Sequence, residues 1–239
     1  MKHAVRRTFV NKNFFVLATV LLAAVAARAD LEIVQMASDT NAPFPATLRL
    51  RGDKLRLDQQ QNTNGSYAVI IDLNTRDSFT LLPKEKKFLK RSGTQILKDL
   101  ALDKKLFGGG TNELYLPPAQ ARATGRIESV GDYDAEIYSW SGAGHTTQTL
   151  WVAKNFPDYE KIRAELAKLD RFNAAGPHPG AQPELSPLPG MVVQSEISVG
   201  DRKIKVRLVS AKILPLDAEL FVVPADYLPW MPPKQNSAK

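Results

Sequence analysis

The sequence predicts a mainly β (α+β) fold in which an antiparallel sheet carries helices on one face. Three observations predict it. Apolar residues recur with a period of two along most of the 239-residue chain, turn-forming pairs punctuate it at short intervals, and only two segments change to a helical period. Strands joined by such short turns become neighbours in the sheet, so a meander is the expected topology.

The elements follow in order. Leu31 to Ala37 reads as the first strand. From Thr47 to Asp58, Leu48 and Leu50 face one way and Arg49 and Arg51 the other; Gly52-Asp53 turns the chain. Leu55 and Leu57 then resume the apolar face against Lys54, Arg56 and Asp58. This is the pattern of an antiparallel hairpin with one wet side. Tyr67 to Ile71 is apolar on both faces, which suits a more central strand. Ser78 to Leu82 and Lys87 to Lys90 continue the meander. Gln95 to Phe107 has a helical stripe (Ile96, Leu97, Leu100, Leu106), with Thr94 as its cap and Gly108 as its stop. Gly93 and Gly108-Gly109-Gly110 flank it as hinges, which makes this helix the expected lid. Thr124 to Val130 and Ala135 to Trp140 form another hairpin, and Thr146 to Ala153 a further strand.

Pro157 opens the strongest helix, from about Asp158 to Phe172, whose apolar face is Tyr159, Ile162, Leu166 and Leu169. Five prolines (Pro177, Pro179, Pro183, Pro187, Pro189) mark residues 172–190 as an irregular loop. Met191 to Val199, the turn Gly200-Asp201 and Lys203 to Ile213 make the last hairpin. Its inner face is Met191, Val193, Ile197 and Val199 against Ile204, Val206 and Leu208. The expected organisation is a single domain over residues 30–228 and a flexible tail over 229–239.

Residues 1–29 read as a secretory signal peptide. Lys2, Arg6, Arg7 and Lys12 form a basic start, Phe14 to Ala27 is apolar apart from Thr19, and Ala27-Arg28-Ala29 is a small-x-small site. Cleavage is expected between Ala29 and Asp30. The apolar run is too short for a hydrocarbon core of about 30 Å, so no integral membrane segment is expected in the mature chain. The leader also accounts for the basicity. It holds five of the 32 Lys and Arg residues and no acid, which leaves 27 basic residues against 25 acidic ones, a net +2. That is no electrostatic footprint for nucleic acid.

The sequence has no cysteine, which removes disulfides, thiolate metal sites, a thiol nucleophile and an N-terminal lipid anchor. Only His145 and His178 follow the leader, both in Gly- or Pro-rich turns without partners at motif spacing. No nucleophile elbow or His-Glu-x-x-His pair is present, and Gly108-Gly109-Gly110-Thr111 lacks the lysine of a phosphate loop. Asp132, Asp134 and Glu136 alternate as a calcium site would, and equally as a wet strand face would. No catalytic residue, metal set or cofactor is expected, and the chain does not read as an enzyme. Aromatic residues are the more suggestive group. A single curved sheet must cover its inner face with helices, a ligand or both. Leu57, Phe79, Trp140 and Trp151 are the candidate ligand-binding residues.

Several segments together resemble an exported bacterial family of uncharacterised domains. They are Thr124-Gly125-Arg126-Ile127, Leu150-Trp151-Val152-Ala153-Lys154 with Pro157 and Tyr159-Glu160-Lys161-Ile162, the run from Leu188 to Ser195, and the run from Leu220 to Tyr227. Gly52-Asp53-Lys54-Leu55-Arg56-Leu57-Asp58 is the best match in the first half. Where relatives often carry Gly-Tyr-x-Cys-Glu, this chain has Asp132-Tyr133-Asp134-Ala135-Glu136, so any role of that cysteine is absent. The family is similar in fold to the periplasmic lipoprotein carriers of the Lol type. The resemblance implies an unclosed antiparallel β-barrel with helices packed in its concavity, where such carriers hold acyl chains. The expectation is therefore an exported, periplasmic or extracellular protein that binds lipid, an acylated protein or another hydrophobic ligand in an apolar concave cavity. The alternative is a structural or interaction module of the cell envelope whose helices plug that cavity.

Overall fold

The computed structural model describes residues 30–38, 43–61, 65–95, 98, 120–141, 146–174, 185, 187–200 and 202–231. The signal peptide, most of the helix expected from Gln95 to Phe107, His145, His178 and the greater part of the Pro-rich loop lie outside them. The strands are β1 (Asp30–Ser38), β2 (Phe44–Arg51), β3 (Lys54–Gln61), β4 (Gly65–Asp72), β5 (Ser78–Leu82) and β6 (Lys87–Arg91), followed by β7 (Arg122–Val130), β8 (Tyr133–Ser141), β9 (Thr146–Ala153), β10 (Met191–Val199), β11 (Arg202–Leu214) and β12 (Leu228–Pro229). The helix α1 (Tyr159–Ala174) enters between β9 and β10.

All twelve strands join one curved sheet in the order β12-β6-β5-β4-β3-β2-β1-β11-β10-β9-β8-β7, which does not close. Two antiparallel meanders meet at its centre. The first runs outward from β1 to β6, and the second runs inward from β7 to β11, which then pairs with β1. Except across α1, consecutive strands within each meander need no long connection, because each turn returns the chain beside the strand it left.

Cross-strand register explains the core. Leu31 lies opposite Leu50, Leu50 opposite Leu55, and Leu55 opposite Ile71; one step along, Ile33, Leu48, Leu57 and Val69 repeat the pattern. Stacked on one face, these rows meet Tyr159, Ile162, Leu166 and Leu169 of α1. The helix face read from the 3.6 period is the face that packs. Tyr159 and Ile162 are buried, and Leu166 and Leu169 are half-buried. Asp158, with φ of 53°, turns the chain into the helix, and its carbonyl accepts from the Ile162 amide at 3.1 Å.

The opposite face is where the sequence expectation needs correction. Its alternating charges predicted a wet surface; Lys54 is exposed as expected, but Arg49, Arg51, Arg56 and Asp58 are half-buried and paired. Arg49 reaches Glu32 and Asp58, each at 2.7 Å, and Arg56 reaches Asp58 at 2.7 Å and the Leu220 carbonyl at 2.7 Å. Farther along the same face, Val223 and Tyr227 of the C-terminal segment cover Ala68, Ile70 and Leu81. Strand β12 then pairs with β6 in parallel, and the Trp230 amide donates to the Phe88 carbonyl at 2.7 Å. Pairing therefore continues past Pro229, where the sequence suggested a free tail. The contacts of the C-terminal segment join residues more than a hundred positions apart, which no local pattern encodes.

One cap also differs. Ser92 Oγ, not Thr94, accepts from the Gln95 amide at 3.1 Å. Gly93 just after it has no room for a side chain, since a Cβ there would sit 2.0 Å from the Thr75 carbonyl oxygen.

Candidate functional site

The last hairpin was expected to be continuous on its inner face, and the structure splits it. Strands β10 and β11 pair from Val199 and Arg202 only as far as Gln194 and Arg207. Beyond that point each follows a different neighbour. Met191 and Val192 stay with β9, while Leu208 to Leu214 stay with β1. A bulge accompanies the separation on each strand: Val193 is the extra residue against β9, and Val209 is the extra residue against β1. A bulge bends and twists the strand that carries it, and both bulges lie where the pairing of β10 with β11 ends.

A cleft of about 320 Å³ lies beside this divergence. Val193 lines one side and Arg207 to Lys212 the other, with the β7–β8 turn (Val130 to Tyr133) and Phe156-Pro157 completing the wall. Its apolar floor belongs to a core cluster of Val130, Ala135, Ala153 and Val193, against which Tyr133, Trp151, Phe156 and Leu208 pack. Phe156 and Leu208 also touch the cluster beneath α1, so the two clusters adjoin beside the cleft. Tyr133 and Phe156 pack ring on ring at 5.2 Å. Gly131, at φ 62°, makes the turn possible, and its missing Cβ leaves space for the Arg207 guanidinium, whose Nη2 would stand 3.0 Å from it.

The four sequence candidates do not converge on one place. Leu57 packs against the cluster beneath α1, half-buried, and Trp151 against the cleft cluster, with its indole N–H donating to Glu128 Oε2 at 2.9 Å. Phe79 lies on the other face, with Phe88 at 6.1 Å and the Lys90 ammonium 5.5 Å from its ring centre. Trp140 is buried opposite Gln148, on the face that alternates with Trp151, and lines a separate recess with Gln120, Arg122 and Ser139. Sequence reasoning placed Val193 and Leu208 on an inner face correctly but did not find Phe156, Val130 or Arg207 as cleft residues. The signal available was the fall of Gly131-Asp132-Tyr133 and Phe156-Pro157 in turns, which says nothing of which turns meet.

Two of the acidic trio, Asp134 and Glu136, are already engaged. Glu136 accepts from Lys154 Nζ at 3.0 Å and from Tyr138 Oη at 3.1 Å, and Asp134 accepts from Ser129 Oγ at 2.9 Å. The Lys154 hydrogen bond holds the Glu136 carboxyl below its ordinary range, while burial, then Glu136, pushes the Tyr138 hydroxyl up. Among the described residues no three His, Asp or Glu side chains gather as a metal set, and no helix is long and apolar enough to cross a membrane.

The sheet and its helix define an unclosed antiparallel barrel with a helix across one face. The chain belongs to the family described as Domain of unknown function (DUF4412), whose profile matches residues 31–227. No curated protein matches it. Among solved structures it is similar to an uncharacterized conserved protein from Thermus thermophilus, 10% identical over 90% of this chain and 98% of that one, with a TM-score of 0.50. It is also similar to the lipoprotein LppX of Mycobacterium tuberculosis (12% identity, 86% of this chain and 99% of that one, TM-score 0.40). A putative outer membrane lipoprotein-sorting protein domain from Vibrio parahaemolyticus gives 11% identity over 86% and 94% of the two chains, with a TM-score of 0.35. At such identities the likeness concerns the fold.

Proposed function

We propose that this protein is an exported binding protein whose cleft receives the apolar part of a lipid, an acylated protein or another hydrophobic ligand. The observation that carries this reading is the cleft at the parting of β10 and β11, floored by Val130, Val193 and Leu208 and walled by Tyr133 and Phe156. Its volume falls at the small end of the range of about 300–1,000 Å³ for ligand sites. Trp151, packed against the cleft cluster, and Leu57, packed against the adjoining cluster beneath α1, are the sequence candidates that keep a place in this proposal. The test is mass spectrometry of lipid extracted from the purified protein, together with titration of a fluorescent fatty acid. Lipid carried through purification, or saturable binding, supports the reading; the absence of both refutes it.

A second reading has its own observation. Ile162 and Tyr159 are buried in the middle of the helix-covered face, so α1 already fills much of the concavity. A structural or interaction module of the envelope would look this way, and it would bind no fatty acid at any concentration below aggregation.

Export rests on the leader, with cleavage between Ala29 and Asp30. Supporting it, Asp30 opens β1 in a buried position, its carboxylate accepting from the Leu216 amide at 2.9 Å and lying 3.4 Å from Arg51. Intact-mass measurement of the protein from a native host should give a chain that starts at Asp30. A chain retaining Met1 refutes the proposal.

A further inference from the structure

The cleft floor is apolar, but its rim is cationic. Along β11 the bulge at Val209 shifts the alternation by one residue, so Lys205, Arg207 and Lys212 fall on a single face. They stand opposite Ser38, Met36 and Glu32 of β1, respectively. Glu32 is committed to Arg49 at 2.7 Å. Among the described residues none of these three cations forms an ion pair, whereas Lys203, the next basic residue on that face, is 3.5 Å from Glu196. Two of the three, Arg207 and Lys212, line the cleft itself, and Asp132 is the one carboxylate in its wall. Cations therefore outnumber acids at the opening. Arg207 is also set in place: its guanidinium lies against Gly131, where any side chain would crowd it.

We infer that the ligand is an amphiphile with a single apolar chain and an anionic group, carboxylate or phosphate. The chain lies on Val193, Leu208 and Phe156, and the anion accepts hydrogen bonds from Arg207 and Lys212. This rests on the binding-protein reading and names its ligand class. An arginine fork matches a carboxylate or phosphate in two parallel hydrogen bonds, and the low dielectric of an apolar floor strengthens the attraction. Cleft size selects a single chain, since about 320 Å³ leaves no room for a multiply acylated anchor.

The experiment titrates the full chain with dansylated undecanoic acid, its methyl ester and a trimethylammonium-headed analogue. The wild type is expected to bind the acid most tightly. In the double variant Arg207→Gln, Lys212→Gln, both exposed positions, acid binding should weaken about ten-fold while ester binding holds. Circular dichroism and a thermal melt check that the variant is folded, and Lys205→Gln, outside the cleft wall, should leave acid binding unchanged. Inorganic phosphate, followed by calorimetry, should bind about a hundred-fold more weakly than the acid, because it lacks the chain. Equal affinity for acid and ester, or an unaffected double variant, overturns the anionic ligand and leaves the binding-protein reading standing. Phosphate binding as tight as acid binding makes this a plain anion site and overturns the amphiphile. No binding of any dansyl analogue overturns both readings together.

Discussion

Replacing Ile162 with alanine tests whether α1 belongs to the core of the sheet or merely rests on it. The side chain is fully buried, and its cluster consists of Leu31, Ile33, Leu50, Leu55, Tyr159 and Met191, each under a tenth exposed. Truncation of a buried isoleucine costs about 2–5 kcal/mol, depending on how far the surroundings collapse into the cavity. Here collapse is restricted, because Leu31, Ile33, Leu50 and Leu55 stand on three hydrogen-bonded strands whose spacing is fixed. The expected loss is therefore in the upper part of the range, about 3–5 kcal/mol. Alanine favours helix more than isoleucine does, which offsets a few tenths of a kcal/mol at most. Leu166, one turn on and half-buried, should lose about 1–2 kcal/mol as Leu166→Ala, since part of its surface is already in water. Urea unfolding followed by far-UV circular dichroism measures both, with the slope m checked for constancy. A loss below about 1 kcal/mol for Ile162→Ala, or an order with Leu166 the costlier site, would refute the packing described for the helix.

Three further outcomes are expected. Tyr159→Phe removes the hydroxyl that donates to the Leu188 carbonyl at 2.9 Å and leaves a buried acceptor unpaired, at a cost of about 1–3 kcal/mol by the same urea assay. Because burial raises the Tyr159 pKa, the neutral form is the stabilising one. That contribution is lost as pH rises through the raised value, and spectrophotometric titration should show two of the six tyrosines, Tyr138 and Tyr159, ionising late, with only one left late in Tyr159→Phe. Gly190→Ala should destabilise by about 3 kcal/mol or more, since its Cβ would lie 2.2 Å from the Ala153 carbonyl oxygen; Gly52→Ala, with open space around it and only φ of 59° against it, should cost about 1 kcal/mol. Finally, the Asp72 carboxyl is held below its ordinary 3.8, first by the Thr75 amide and also by the Asn74 amide, with burial opposing them. Its contribution is present above 3.8 and lost as pH falls through the lowered value. Asp72→Asn keeps an acceptor for both amides without titrating, so stability measured from about pH 5 to about pH 2 should fall less steeply; an identical acid limb would show that Asp72 contributes nothing to it.

The strands were legible because each carries its own evidence: Leu48, Leu50, Leu55 and Leu57 sit two apart within their strands, and Gly52-Asp53 between them can only turn. The period of α1 likewise marks Tyr159, Ile162 and Leu166 as one face without reference to anything else. Burial of the second face was not legible. Arg49, Arg56 and Asp58 have the spacing of solvated charges, and what half-buries them is their mutual pairing and a segment from Leu220 onward that arrives from the far end of the chain. The cleft belongs to the same class of fact. Val193 and Leu208 read as inner-face residues from sequence alone, but their separation comes from bulges on two strands that answer to different neighbours. Alternation is a property of one strand and can be read from it. Pairing register, bulges and the meeting of distant turns are properties of strand pairs, decided only when the whole sheet assembles and each strand's apolar face finds a partner.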